Sequence, residues 1–151
     1  MRLVVQRVSS ASVRVGTDTL GSIGLGAVVL AGAATGDTPE LVDRVADKLL
    51  GLRYFRDSAG RTNVDVAEAG GSYLVVSQFT LLADIRRGRR PGFTPAAPPE
   101  IAEPLVARLV DRLAASGVPV ASGRFGAEME VELVNDGPFT LVIDSERDLR
   151  G

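Results

Sequence analysis

The run Tyr73-Leu74-Val75-Val76 has no wet side. Successive strand residues point to opposite faces, so four consecutive apolar side chains mark a strand buried on both. This run sits in "SYLVVSQFTLLA" (72–83), the strongest strand pattern in the chain. The first third reads as further β-structure, with strands at 3–8, 11–16, 19–24 and 26–33 separated by turn residues at hairpin spacing. A short strand is expected over 52–57, and others over 118–125, 128–134 and 139–145. In the last pair, Met129, Val131 and Leu133 alternate with Glu130 and Glu132, the period of a strand with one solvated face.

Two segments change period. Thr38 is placed as an N-cap with Pro39 at the first helical position; Leu41, Val45, Leu49 and Leu52 share one face, and Gly51 ends the helix. The second helix lies in "PPEIAEPLVARLVDRLAASG" (98–117), with Ile101, Leu105, Leu109 and Leu113 at four-residue spacing, Gly117 as its stop, and Pro104 either a kink or its true start. These elements predict an α/β (α+β) fold: a single domain over 1–151, a barrel-like, mostly antiparallel β-sheet framework with two main helices, and a flexible tail from about 145. The 151 residues suffice for one core. No run approaches the roughly 20 apolar residues that span a bilayer. Arg7 would interrupt the apolar core of a signal peptide, so a cytoplasmic location is expected.

The chain contains neither cysteine nor histidine. That excludes disulfides, thiolate or imidazole metal sites, Ser-His-Asp and Cys-His catalysis, and any imidazole base. An enzyme built from this chain works with hydroxyls, carboxylates, backbone amides or its own substrate. A net charge of −2 and a pI near 5.2 argue against a broad electrostatic grip on nucleic acid, leaving room for a local basic patch.

Three stretches carry candidate chemistry. In "SQFTL" the buried strand turns polar, and Ser77, Gln78 and Thr80 either deliver hydroxyl and amide groups to a rim or simply face solvent and cap a turn. In "DIRRGRRPGF" Arg86, Arg87, Arg89 and Arg90 surround a glycine, forming either a phosphate-binding loop or an ordinary solvated one. In "LVNDGPFTL" Gly137-Pro138 interrupts a strand pattern; proline lacks the ladder donor, which places it at a bulge, an edge or a sharp turn, with Asn135 and Asp136 suited to an Asx turn. Backbone energetics alone favour a trans bond there. Glu128, Glu130 and Glu132, and likewise Asp43, Arg44 and Asp47, lack the convergence of a metal or acid/base site and read as structural.

Together "QRVSSASV", "LGLRYFRDSAGRTNVDV", "AGGSYLVVSQFTL" and "GRFGAEMEVELVNDGPFT", in this order and over nearly the whole chain, closely resemble the D-aminoacyl-tRNA deacylase family. The resemblance implies a homodimeric proofreading enzyme that cleaves the ester joining a D-amino acid, or glycine, to the 3′-terminal adenosine of tRNA. It implies that Gly137-Pro138 is cis, crosses the interface into the partner's active site and presents carbonyl oxygens that hold the substrate's amino group and exclude an L side chain. It places Ser77, Gln78, Phe79 and Thr80 around the scissile ester, with backbone N–H groups near Phe79 and Thr80 as oxyanion donors. It implies no metal and no cofactor; with no base to activate Thr80, the adenosine 2′-hydroxyl would assist. Arg86, Arg87, Arg89 and Arg90 are candidate tRNA phosphate contacts. Gly92, where serine is expected, and Gly126, where alanine is common, depart from the pattern. The alternatives are a deacylase with a trans Gly-Pro acting on a small L-aminoacyl ester, a non-catalytic RNA-end binding module, and a dimeric structural protein.

Overall fold

The computed structural model describes residues 1–150. Its elements run β1 (Arg2–Val15), β2 (Asp18–Ile23), β3 (Gly26–Gly32), α1 (Pro39–Gly51), β4 (Phe55–Arg56), β5 (Thr62–Val64), β6 (Ser72–Ser77), a 3-10 turn (Phe79–Leu82), α2 (Pro99–Ala115), β7 (Val120–Ser122), β8 (Glu130–Asp144) and α3 (Ser145–Asp148). The main sheet has the order β2-β1-β3-β6-β7, with β8 on the free side of β1; β3-β6 and β6-β7 are parallel and the other pairs of this sheet antiparallel. The sheet curls until its ends meet. A Cβ on Gly21 of β2 would lie only 3.1 Å from Cβ of Ala121 on β7.

The expected double-sided burial of β6 follows from this curl. Leu74 and Val76 point inward with Val8, Ala11, Val13 and Val28, while Tyr73 and Val75 point outward, under the helices. The outer core adds Val42, Val45, Ala46 and Leu49 of α1 and Ala102, Leu105, Val106, Leu109 and Leu113 of α2. The helix faces are rotated from those expected: Ala46 and Ala102 are buried, whereas Ile101 is 48% exposed. Thr38 caps α1 as predicted, its hydroxyl accepting from the Leu41 N–H, and Pro104 lies inside α2 instead of starting it.

Four local expectations give way to the structure. The strands expected at 3–8 and 11–16 are one strand, β1; Leu3 and Val5 face the helices but Ala11 and Val13 face the barrel interior. The extra residue of a bulge near Ser9 inverts the alternation without a turn. The strands expected at 128–134 and 139–145 are likewise one strand, β8, in which Arg7 alone faces the four residues Asp136 to Phe139. The strand expected to reach Ala83 stops at Ser77, because Leu82 packs down against Gly32, where a Cβ would come within 2.5 Å of it. In place of a frayed tail, residues 145–148 form a helical turn whose cap, Asp144, accepts from the Glu146 N–H; Gly151 lies outside the described residues.

Candidate active site

Two irregular pieces of backbone stand out, one beside the Arg2-Asp144 end of the β1-β8 ribbon and one midway along it, opposite Arg7. The first follows β6. The Gln78 N–H donates to the Ala31 carbonyl at 2.8 Å, ending the parallel ladder, and the Gln78 side-chain amide donates to the Thr80 hydroxyl. The first bond of the 3-10 turn runs from Leu81 N to Gln78 O, so the Phe79 and Thr80 N–H groups precede it and have no partner within the turn. Arg2 fixes this turn to the strand ends: it donates to the Leu81 carbonyl at 2.7 Å and, through Nε and Nη2, to the Asp144 carboxylate at 3.0 and 2.8 Å. Beside Ser77 opens a cavity of about 200 Å³ whose wall includes Val75, Ser122 and Phe125, with Glu103 and Asp111 as its charged groups.

The second piece is the bulge of β8, and it is built on Arg7. Leu3, Val5 and Arg7 fall on the buried face of β1, so an arginine occupies a core position and is only 4% exposed. Its Nη1 donates to the Tyr54 carbonyl at 2.9 Å and its Nε to the Asp136 carbonyl at 3.1 Å, while the guanidinium lies over the Phe139 ring at 4.8 Å. The Asp136 carboxylate takes two hydrogen bonds from Arg56, at 2.5 and 3.2 Å, and lies 3.6 Å from Arg7 Nε. Hydrogen bonding from Arg56 therefore holds its pKa below the ordinary carboxylate value. Burial, and then the neighbouring Arg56, lower the pKa of Arg7 against the opposing pull of Asp136.

The Asn135 side chain performs the turn role expected of it, accepting from the Phe139 N–H at 2.7 Å and donating to the Thr140 hydroxyl at 2.9 Å. Between these anchors Gly137 and Pro138 are exposed, joined by a cis peptide where backbone energetics alone favour trans. Gly137 has φ +128°, and a Cβ on it would lie 2.8 Å from Arg7 Nη2.

Within one chain these two pieces do not meet. Arg2 braces the first and Arg7 the second, five residues apart on β1, or about 17 Å at the rise of a strand. Among the described residues no hydrogen bond joins 77–80 to 137–138. The structure puts Ser77, Gln78, Phe79 and Thr80 together at the end of β6 and the start of the turn; the arginines that brace the two segments, Arg2, Arg7 and Arg56, were not among the residues expected. The signal for Arg7 was present: a charge where the alternation of Leu3 and Val5 demands a buried side chain.

The arginine loop is a hairpin closed by reciprocal hydrogen bonds between Asp84 and Gly92, at 2.7 and 2.9 Å, with Gly88 at φ +68° near its tip. Arg86 folds back onto Asp84 through Nε and Nη2, at 2.9 and 2.7 Å, drawing that carboxyl down to about 2. Arg87, Arg89 and Arg90 are exposed and have no acidic partner among the described residues. Phe93 meets Phe79 edge-on, centroids 5.1 Å apart, tying the hairpin to the turn. Among the described residues no group of three or more Asp or Glu side chains is placed to hold a metal ion, and no helix is long and apolar enough to cross a membrane.

The family model described as D-Tyr-tRNA(Tyr) deacylase matches residues 4–144. The chain is 56% identical over 147 residues to a D-aminoacyl-tRNA deacylase of Symbiobacterium thermophilum, covering 97% of each. It is 57% identical over 147 residues to one of Desulforudis audaxviator, covering 97% of this chain and 99% of that one. Among solved structures, a c-Myc DNA unwinding element binding protein superposes with TM-score 0.90 at 37% identity, covering 96% of this chain and 99% of the other. A probable eukaryotic D-amino acid tRNA deacylase shares the fold with TM-score 0.80 at 17% identity, covering 94% and 97%.

Proposed function

The chain belongs to the D-Tyr-tRNA(Tyr) deacylase family, and from that premise we propose that it is a D-aminoacyl-tRNA deacylase, acting in the cytoplasm, that reads chirality with backbone atoms. The observation that carries this reading is the pair Gly137-Pro138: exposed main chain, clamped from behind by the buried Arg7. A feature so heavily anchored yet presenting only backbone suits recognition of what all amino acids share, the α-amino group and the hydrogen at Cα. Carbonyl oxygens there accept from the amino group and leave no room for an L side chain. Any D side chain then projects away.

The 77–80 turn supplies the reaction centre. The ester carbonyl lies against the unpartnered Phe79 and Thr80 N–H groups, which stabilise the oxyanion as water adds; collapse of that intermediate expels the 3′-oxygen of the adenosine and releases the free amino acid. The Thr80 hydroxyl accepts a hydrogen bond from Gln78 and faces no base, so it positions and does not attack. An aminoacyl ester is already activated, and the nucleoside's 2′-hydroxyl lies next to the bond that breaks, so positioning supplies most of the acceleration. The terminal nucleoside lies at the mouth of the cavity beside Ser77, toward the Phe125 ring in its wall. Because 77–80 and 137–138 lie far apart in one chain, the complete site takes its Gly-Pro from a second copy, making the working unit a homodimer.

The test is hydrolysis of matched D- and L-tyrosyl-tRNA by purified protein in the presence of a chelator, with glycyl- and L-alanyl-tRNA as further arms. Fast loss of the D-tyrosyl ester, and of the glycyl ester, with both L esters spared, is expected. Cleavage of the L-alanyl ester favours the rival deacylase. No acceleration of any ester, with tRNA still bound, makes the chain an RNA-end binding module.

A further inference from the structure

We propose that the 84–92 hairpin is the tRNA backbone clamp of this protein, with Arg87, Arg89 and Arg90 holding phosphates of the acceptor end and Arg86 serving as an internal brace. The inference rests on the deacylase reading for its substrate, but its observations are separate. The protein is acidic as a whole, with 19 acidic against 17 basic side chains, yet this hairpin carries four arginines and a single aspartate. That aspartate is spoken for: Asp84 is held by Arg86, and it also closes the hairpin through its backbone to Gly92. The remaining three guanidiniums are solvated and unpaired among the described residues, in contrast to Arg108 and Arg112 on α2, which are tied to Asp43 and Asp47. Exposed arginines held apart from acidic partners keep their paired N–H donors available for phosphate oxygens.

Position gives the clamp its meaning. The hairpin leaves the reactive turn with only Ala83 between them, and Phe93 returns from it to pack on Phe79, at the centre of the 77–80 segment. Thr80 and Arg87 are seven residues apart, so their separation cannot exceed about 25 Å even in a fully extended chain. That bound, with the Phe79-Phe93 contact, keeps the hairpin on the side of the turn where an ester seated at Thr80 would continue into the adjoining nucleotides. The segment that follows the hairpin is tied to the body as well, by the pairing of Ala34 with Ala96 and the bond from Thr35 N to Pro95 O at 2.9 Å, so the base of the hairpin is held on both sides.

The experiment compares wild type with the triple variant Arg87→Gln/Arg89→Gln/Arg90→Gln on two substrates, D-tyrosyl-tRNA and D-tyrosyl-adenosine, the second lacking every phosphate. On the tRNA substrate, KM is expected to rise and the slope of log KM against log salt to fall by about 2, at roughly 0.7 per lost phosphate contact to a single strand. On D-tyrosyl-adenosine, kcat/KM is expected to stay within about twofold of wild type, and the triple lysine variant should recover most of the salt slope. An unchanged slope overturns the proposal, and so does an equal loss on both substrates, which would place the effect in the reaction centre. Anisotropy with uncharged tRNA reads the same slope without hydrolysis. Should the wild type cleave neither substrate while the slope difference persists, the deacylase reading falls and the clamp stands.

Discussion

Arg7 shows how one side chain can hold a strand defect in a fixed shape. A buried guanidinium needs several acceptors; it finds the Tyr54 and Asp136 carbonyls, and its Nη2 lies against the position where a Cβ on Gly137 would sit. Gly137→Ala inserts a methyl 2.8 Å from Arg7 Nη2 at φ +128°, a backbone region that L residues avoid. We expect kcat/KM on D-tyrosyl-tRNA to drop about 100-fold, while the melting temperature falls by only about 2–8 °C, the equivalent of about 1–2 kcal/mol. A melt that collapses along with turnover would make the bulge a structural turn and nothing more. Asp136 adds a pH signature. Its pKa is depressed in the folded protein, so its contribution is present above the ordinary carboxylate value of about 3.9 and lost as pH falls through the lower folded value. The gap in melting temperature between wild type and Asp136→Asn should therefore be flat from about pH 8 to 5 and close below about pH 4; a gap that widens on acidification would contradict the pairing with Arg56.

At the scale of elements, the 3-10 turn at 79–82 packs against a residue of another strand. A Cβ on Gly32 would lie 2.8 Å from the Gln78 carbonyl and 2.5 Å from Leu82 Cδ2, so Gly32→Ala must push the turn outward. A loss of about 1–3 kcal/mol with at least a tenfold fall in kcat is expected, whereas Gly51→Ala, with open space around it at the end of α1, should stabilise by about 0.5–1 kcal/mol. Thermal melts and single-turnover rates on the two variants decide it: equal behaviour would mean that Gly32 does not shape the turn. The same contrast explains what the sequence could show. The cap of α1 at Thr38-Pro39 and the two-faced burial of β6 depend on neighbours in the chain and were legible. The stop at Ser77 depends on Gly32, forty-five residues earlier, and the continuity of β1 through Ser9-Ser10 depends on the register with β8; neither leaves a local pattern. Motif order drew attention to Ser77 to Thr80 and Gly137-Pro138; of the arginines that brace these segments, Arg7 left a local trace in the alternation of β1, whereas Arg2 and Arg56 are recognisable only once the sheet has brought distant strands together.

At the scale of the molecule, β8 leaves Val134 56% and Val142 47% exposed, apolar side chains on the strand that also carries the Gly-Pro bulge. A second copy covering this strand would bury them and bring its own bulge to the reactive turn. Mixing makes a direct test: Gly137→Ala protein and Gly32→Ala protein, each impaired alone, are unfolded together and refolded. A hybrid of the two has one site whose turn and Gly-Pro are both intact, so about a quarter of wild-type turnover should return from random pairing; no recovery would put both parts of the site in one chain. The β1-β8 ribbon has a further consequence, for the way the protein is made. Arg14 and Glu130 are partners 116 residues apart, and Arg2 and Asp144 are 142 apart. At roughly 5–20 residues per second the ribosome takes about 6–28 s to cover those spans, and throughout that time the earliest strand emerges with one edge bare. Such an edge is a template for any other unpaired strand. The nascent chain therefore depends on being shielded, or on being alone, until its last strand arrives.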